Sequence, residues 1–434
     1  MLRKRIQLGL IHVAVAMTLV PINSTLNRVM IKEMAISATL VAAMASLPYL
    51  FSPIQVTIGS YSDKHPLWGL NRSPYILIGL ILCAGGVALS PQVAFLMADN
   101  FWLGLVVGIL AFGAWGMGYN LSAVSYLSLA SEISEEKGRG KTIAVMWFMM
   151  IIGIILTSLT LSRLVDPFTP EALMRAFFII AGSAMTLGFL GLIKLETRNP
   201  IQHGEIEERY RWPTLAKAVL GNRQARLFFW YLIILLAALL GQDILLEPFA
   251  GEAFEMSVKE TTRITSLWGA FVLVALLIAG WLERRVSKRT TAVWGNWGAL
   301  IGFVLITLSG IMINTHVFYG GVILLGLGTG VSTVSNLSLM LDMTVEGKVG
   351  LFIGAWGMAN AISRLIGSIL GGSGRDLIGR AAQNPVTGYV VVFGLMAFLL
   401  LASLLILGKI DVQTFRRRVE EPSLVERAAL AGDA

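Results

Sequence analysis

The sequence has little charge and almost no cysteine. Asp, Glu, Lys and Arg together make up 14% of the 434 residues, and Cys83 is the single cysteine. Because one thiol has no partner in its own chain, an intrachain disulfide is excluded. The hydrophobic content of 56% and the mean hydropathy of +0.74 exclude an ordinary soluble domain. The chain is therefore an integral membrane protein.

The sequence also lacks the short motifs of common catalytic sites. It has no Walker-type phosphate-binding loop, no zinc-ligand spacing and no nucleophile elbow. No polar stretch between the apolar segments is long enough for a soluble catalytic domain. We therefore expect a protein that is not an enzyme and that does not use ATP to drive transport.

Long apolar segments dominate what is present. A helix needs roughly 20 apolar residues to cross the hydrocarbon core. A transmembrane β-strand would instead alternate polar and apolar residues, a pattern that this sequence does not show. We predict an all-α integral membrane protein with twelve transmembrane helices, at about 6–29, 36–60, 74–92, 101–130, 142–163, 172–195, 227–249, 260–281, 292–313, 316–341, 350–373 and 388–408.

An internal repeat relates the fourth segment to the tenth. Residues 116–129 read GMGYNLSAVSYLSL and residues 326–339 read GLGTGVSTVSNLSL, with eight of fourteen positions identical at an offset of 210. This repeat predicts two pseudo-symmetric six-helix halves in parallel orientation. We place the halves at 1–195 and 227–408, with a linker at 196–226 and a tail at 409–434.

The distribution of Lys and Arg predicts the orientation of the chain. If alternate loops are assigned to two sides, the side that holds the N-terminus carries 24 of these residues and the other side carries seven. By the positive-inside rule, both termini, the linker and the tail lie in the cytoplasm. The net charge of +8 then reflects topology, and no nucleic-acid partner is expected.

The loops after the second and eighth segments carry related charge patterns. GSYSDKHPLWGLNRSPY resembles the signature loop of the major facilitator superfamily through Gly59, Asp63, Lys64, Gly69 and Arg72. GWLERRVSKR is a degenerate copy with Gly280, Glu283, Arg284 and Arg285. We predict that these charges latch the halves at cytoplasmic helix ends and control gating. Ordinary positively charged loops are the alternative interpretation.

Polar residues inside apolar segments are candidate functional groups, because a charge at the bilayer centre costs roughly 2.5–3.5 kcal/mol. The candidates for binding a substrate are His12, Asn23, Asn27, Asn120, Gln242, Asp243, Glu247 and Asn336. Arg28, Arg175 and Arg364 are further polar residues in the spans. For His12 two interpretations stay open: an axial metal ligand, or a core histidine bonded to a neighbouring helix.

Two of these residues form a pair at the end of the seventh segment. Asp243 and Glu247 are spaced i, i+4, so an unbroken helix would place them on one face. In PINSTLNR of the first segment, Asn23 and Asn27 occupy the matching positions at an offset of 220. The predicted seventh segment begins at residue 227 on the cytoplasmic side. At a rise of about 1.5 Å per residue, the pair therefore lies near the far end of the helix, in the outer leaflet.

Three interpretations of this pair stay open. Asp243 and Glu247 could be a ligand site. Glu247 could instead be solvated, with Pro248 ending the helix. In the third interpretation, an ion pair between Arg28 and Glu247 closes the outer face.

Three sequence runs together resemble the bacteriochlorophyll delivery family of the major facilitator superfamily, which includes PucC and LhaA-like proteins. They are STLNRVMIKEM (24–34), SDKHPLWGLNRSPYI (62–76) and QDILLEP (242–248). The resemblance implies a twelve-helix facilitator fold in a bacterial inner photosynthetic membrane or a thylakoid. It also implies that the chain binds or delivers chlorophyll or bacteriochlorophyll during assembly of light-harvesting complexes. The family motifs emphasise Asn27, Arg28, Gln242, Asp243, Glu247 and Pro248.

From this resemblance we expect antenna polypeptides and a pigment synthase as partners, in addition to the lipid bilayer. The pigment is expected as cargo, without a resident cofactor. Its magnesium takes an axial oxygen or nitrogen ligand, which Asp243 or Glu247 could supply. Two alternatives stay open: a proton-coupled exporter of a small amphipathic molecule that uses these two carboxylates, or an assembly scaffold that does not transport.

Overall fold

The structure is a computed structural model that describes residues 1–55, 58, 61–62, 65–134, 138–197, 221–283, 285–344 and 349–415. Within these ranges the regular elements are helices, apart from an isolated bridge between Leu67 and Leu70. The all-α prediction is therefore confirmed. We number the helices α1 to α12 after the predicted segments that they fill.

The first half contains α1 to α6. α1 is the least regular, because Leu2–Met17 is followed by the short helix Leu19–Pro21 and by two π-helical segments, Ile22–Leu26 and Val29–Glu33. α2 begins as Ala38–Ala45, continues as Leu47–Leu50 and ends in a 3₁₀ turn, Ser52–Ile54. The other helices are α3 (Ser73–Asp99), α4 (Phe101–Ile133), α5 (Arg139–Leu164) and α6 (Pro170–Leu192).

The second half contains α7 to α12. α7 has two parts, Arg223–Gly241 and Leu246–Phe254, which are joined by a 3₁₀ turn at Gln242–Ile244. The remaining helices are α8 (Val258–Leu282), α9 (Lys288–Met312), α10 (Thr315–Asp342), α11 (Val349–Ala381) and α12 (Pro385–Leu407).

Ten of the helices in the described residues are long and apolar enough to cross a membrane. α2, which is interrupted after Ala45, and α11 are not among them, so the count of twelve spans stays a prediction. α7 begins at Arg223, four residues before the predicted segment. The domain boundaries also stay a prediction, because residues 198–220 and 416–434 lie outside the described residues.

Each half has its own apolar core, and the repeat marks a close helix contact in each. A Cβ atom on Gly118 of α4 would lie 2.5 Å from the carbonyl oxygen of Gly79 on α3. A Cβ atom on Gly328 of α10, the repeat position of Gly118, would lie 2.1 Å from the backbone nitrogen of Ala299 on α9. Since only glycine allows this approach, the repeated glycines fix the same helix pair in both halves.

The two halves meet where α1 packs on α7 and α8, α2 on α11, and α5 on α8. We define the distal face as the end of the bundle formed by the loops at 34–37, 255–257 and 382–384. Among the described residues, the hydrogen bonds between the halves concentrate toward this face, as described below. They place the candidate site, which lies between α1, α2, α7, α8 and α11, beneath a closed distal face.

Candidate functional site

The break in α7 separates the two carboxylates of the QDILLEP run. Asp243 lies in the 3₁₀ turn, whereas Glu247 lies in the second helical part. The expectation that both side chains share one continuous helix face is therefore wrong. Pro248 does not end the helix, because it lies in the first turn of Leu246–Phe254, where its missing N–H costs no helical hydrogen bond. Glu247 is 2% exposed, so the solvated interpretation is also wrong.

α1 is distorted in the portion that the sequence aligns with this break. Asn23 lies in the first π-helical segment, and Asn27 follows that segment directly. The side-chain Nδ2 of Asn27 donates to the backbone oxygen of Asn23 at 3.1 Å. Asn27 is buried and Asn23 is half-buried. π-helical turns occur often at functional sites, so the distorted stretches of α1 and α7 together form the candidate site.

Asp243 faces a cationic group from α11. Its Oδ1 accepts a hydrogen bond from Nε2 of Gln242 at 2.7 Å, and its Oδ2 lies 3.7 Å from Nη1 of Arg364. The same Nη1 donates to the hydroxyl of Tyr49 on α2 at 3.0 Å. Asp243 and Arg364 belong to the second half and Tyr49 to the first, and the side chains of Asp243 and Arg364 are 29% and 30% exposed. This trio therefore lines an accessible space between the halves.

Glu247 makes a different set of contacts. Its Oε1 accepts hydrogen bonds from the hydroxyl of Ser24 on α1 and from the hydroxyl of Thr265 on α8, the latter at 2.6 Å. Beside this contact, the hydroxyls of Thr25 on α1 and Thr262 on α8 are 2.8 Å apart. Glu247 thus joins the two halves through neutral hydroxyl groups, whereas Asp243 faces a charge.

Arg28 does not form the expected ion pair with Glu247, and that interpretation is wrong. Its Nη1 pairs with the carboxylate of Glu33, and its Nη2 donates to the backbone oxygen of Met256 at 3.0 Å. Lys32 donates to the backbone oxygen of Gly251 at 2.5 Å. Because cations are favourable at a helix C-terminus, both side chains stabilise the contact between α1 and the end of α7. Arg28 thereby lies in the closed distal face.

The distal face contains a second contact that the sequence did not indicate. Asp376 of α11 accepts hydrogen bonds from the backbone nitrogens of Ala38 at 3.1 Å and Thr39 at 2.8 Å, and from the Thr39 hydroxyl at 2.7 Å. It therefore caps the N-terminus of α2 from the opposite half. Arg375 binds Asp376 at 2.9 Å and Glu252 of α7 at 2.6 Å.

We call these contacts of α1 and α2 with α7 and α11 the distal closure. The predicted eleventh segment ends at residue 373, so Arg375 was expected in a loop. The structure extends α11 to Ala381. The run GRDLIGRA contains no proline. This absence was the one sequence signal that the helix continues past Arg375 and Asp376.

The two asparagines of the internal repeat lie within the halves. Nδ2 of Asn120 donates to the backbone oxygens of Pro48 and Gly116, each at 2.8 Å, and its Oδ1 accepts from Gln55 at 2.5 Å. Oδ1 of Asn336 accepts from the hydroxyl of Tyr231 at 2.6 Å. Both amides therefore have structural partners, and their role in binding pigment stays a prediction.

His12 also lies away from the two carboxylates. Its ring is 6% exposed and packs against Tyr126 at 5.1 Å and Trp147 at 5.9 Å between ring centres. These neighbours belong to α4 and α5, so His12 is enclosed by the first half. Gln242 is likewise buried and acts here through its bond to Asp243. Direct contact of either residue with a ligand stays a prediction.

The signature loop binds helix ends within its own half. Arg72 pairs with Glu132 at the end of α4, and its backbone nitrogen donates to Glu196 at 3.0 Å. Lys288 pairs with Asp342, which is the repeat position of Glu132, at 2.8 Å in the second half. The expected carboxylates at helix ends are thus present, but these contacts do not join the two halves.

The loop after α8 also contacts a helix of its own half. The hydroxyl of Ser338 on α10 donates to Glu283 at 2.9 Å. Arg285 lies over the ring of Trp281 at 4.5 Å. The predicted gating residues Asp63, Lys64 and Arg284 lie outside the described residues. A gating role for the two loops stays a prediction.

These features define the class of protein: an all-α, multi-pass membrane protein whose two halves enclose a polar site. Its fold matches the crystal structure of the nucleoside transporter NupG with a TM-score of 0.72 and 15% sequence identity, over 93% of this chain and 98% of that one. At this identity the likeness concerns the fold, which is that of major facilitator transporters.

The chain belongs to the PUCC protein family, whose model matches residues 25–415. Protein PucC of Cereibacter sphaeroides is 32% identical over 437 residues, which cover 96% of this chain and 94% of that protein. A Rhodobacter capsulatus protein named Bacteriochlorophyll synthase 44.5 kDa chain is 28% identical over 412 residues, or 92% of each chain. The family resemblance predicted from the three sequence runs is confirmed.

Proposed function

We propose that this chain binds a bacteriochlorophyll-type pigment between its halves during the assembly of photosynthetic pigment–protein complexes. The observation that carries this proposal is similarity over almost the whole length to PucC proteins and to a protein named as a bacteriochlorophyll synthase chain. Under this proposal antenna polypeptides and a pigment synthase are partners, and the chain catalyses no reaction. The excess of Lys and Arg supports cytoplasmic termini and a distal face on the opposite side of the membrane.

The geometry favours Asp243 over Glu247 as the group that meets the pigment. The magnesium of a chlorin prefers an oxygen or nitrogen ligand. Oδ2 of Asp243 accepts no hydrogen bond from the described residues, and the side chain is 29% exposed to the space between the halves. Glu247 is buried, and its Oε1 is occupied by two hydroxyl groups. Arg364 would orient the Asp243 carboxylate.

The test is the absorption spectrum of the protein purified in detergent from a pigment-producing host. Wild-type protein is expected to carry chlorin, and Asp243→Ala is expected to carry at least fivefold less. Asp99→Ala is the matched control, because Asp99 is an exposed acid at the end of α3. Wild-type protein without chlorin absorption, or an Asp243→Ala variant with full pigment content, would overturn the proposal.

The same variants separate the alternatives. Substrate flux that follows a pH gradient in the absence of pigment would indicate an exporter of a small amphipathic molecule. Normal assembly of light-harvesting complexes by the pigment-free Asp243→Ala variant would indicate a scaffold. The proposed function instead requires that pigment content and complex assembly fall together.

A further inference from the structure

Glu247 occupies an unusual position for an acidic residue. It is 2% exposed and lies where α1, α7 and α8 meet at the boundary between the halves. Two hydroxyl groups, from Ser24 and Thr265, both donate to its Oε1. Its Oε2 is fully buried and has no hydrogen-bond partner among the described residues. Three helices from both halves therefore converge on one carboxyl group that is only half satisfied.

Among the described residues, no cation forms an ion pair with this carboxyl group. Arg28 on α1 interacts with it electrostatically from beyond ion-pair distance, since its guanidinium binds Glu33 and the Met256 backbone. On its own chain segment, Asp243 faces Arg364 of α11.

The charged groups of the other packed elements are also engaged or solvent-facing. On α8, Lys259 pairs with Asp166, and Arg263 is exposed. Arg375 of α11 binds Glu252. The groups that α8 turns toward Glu247 and the neighbouring interface are the neutral hydroxyls of Thr262 and Thr265.

Burying a charge without a partner costs several kcal/mol, whereas a neutral carboxylic acid costs far less. In the closed distal face, the protonated form of Glu247 therefore fits its surroundings better than the carboxylate. When the halves separate at this face, water reaches the carboxylate and removes that penalty. Ionisation and opening then become thermodynamically linked.

We propose that Glu247 is a proton-binding site that controls the distal closure. With the proton on Oε2, the carboxyl group of α7 holds α1 through Ser24 and α8 through Thr265. Release of the proton to water at the distal face breaks one O–H bond and leaves a carboxylate, which favours the open face. Raising the pH therefore opens the distal face, and lowering it closes the face.

The experiment measures accessibility of Ala45→Cys in a Cys83→Ala background with a membrane-impermeant maleimide between pH 5 and 9. Ala45 is 1% exposed and packs against Ile244 from the opposite half, so it becomes accessible only when the halves separate. Asp99→Cys, exposed at the same face, corrects for ionisation of the thiol itself. We expect the corrected labelling rate to rise with pH, by up to about tenfold per pH unit for a single proton.

Glu247→Gln keeps the shape and hydrogen-bond acceptor but cannot ionise, so its corrected rate should stay low and independent of pH. A pH dependence in Glu247→Gln equal to that of the parent, or no pH dependence in the parent, would overturn the proposal. Thr265→Val and Thr265→Ser provide a second pair. The valine variant should label faster at low pH, whereas the serine variant should match the parent.

The assay uses pigment-free protein. If the labelling rate does not depend on pH, the proposal of pigment binding is unaffected. If the purified wild-type protein carries no pigment, the proposal for Glu247 is unaffected.

Discussion

The capping contact of Asp376 on α2 provides a direct test of the distal closure. In Asp376→Asn, Oδ1 can still accept from Ala38, but an NH₂ group replaces Oδ2. The bonds that the backbone nitrogen and the hydroxyl of Thr39 donate to Oδ2, at 2.8 and 2.7 Å, therefore lose their carboxylate acceptor. The ion pair with Arg375 is weakened as well. The substitution therefore removes contacts that exist only while α2 and α11 touch.

Each lost bond to a buried charged group contributes about 1.5 kcal/mol at the lower end of its usual range, so the closed face should lose about 3 kcal/mol. Asp376 is 5% exposed, so water replaces these bonds only after the face opens. At 1.4 kcal/mol per factor of ten, the open fraction should rise about 100-fold.

The assay is maleimide labelling of Ala45→Cys in the Cys83→Ala background, at a pH where the parent is mostly closed. If opening precedes labelling, the labelling rate follows the open fraction, and Asp376→Asn should label about 100-fold faster. Thr39→Ala, which removes only the hydroxyl bond, should label about tenfold faster. Asp99→Asn makes the same chemical change at an exposed position on the same face and should match the parent.

A change of less than threefold in Asp376→Asn, in protein that remains monodisperse, would refute the reasoning. An equal increase in Asp99→Asn would refute it too, because the effect would then arise from surface charge and not from the cap.

Two further predictions concern single contacts. Gly372→Ala should raise the same labelling rate, because the new Cβ would lie 2.5 Å from the backbone oxygen of Ala38, whereas Gly357→Ala on the same helix meets no atom within 4 Å and should not. Tyr231→Phe should lower the free energy of unfolding by about 2 kcal/mol, because two buried asparagines lose their shared hydroxyl partner. Tyr61→Phe, with a ring that is 57% exposed, is the control in the same detergent denaturation experiment and should change stability little.

The helical architecture was predictable from sequence for a physical reason. Lipid offers no hydrogen bonds to the backbone, so a long apolar segment must satisfy its own peptide groups by forming a helix. The repeat was equally informative, since Gly118 and Gly328 occupy the same close helix contact in the two halves. The division of the chain into halves thus follows from local composition and self-similarity.

The partners of the candidate site could not be predicted in the same way. Asp376 meets Thr39, and Arg364 meets Tyr49, across more than 300 residues of sequence. These contacts depend on how the two halves dock, which no local pattern encodes. Arg364 stood out as a charge in an apolar segment, but nothing in the sequence indicated that Asp243 lies beside it.

The break in α7 explains why two carboxylates so close in sequence serve different purposes in our proposals. An unbroken helix would expose Asp243 and Glu247 to the same surroundings, and one residue would then duplicate the other. The 3₁₀ turn instead directs Asp243 toward Arg364 in an accessible space and Glu247 into hydroxyl groups of the closed interface. A carboxylate at an accessible site can bind a metal centre, whereas a buried carboxyl group can respond to protons. The turn therefore allows one short segment to carry a ligand contact and the control of the face above it.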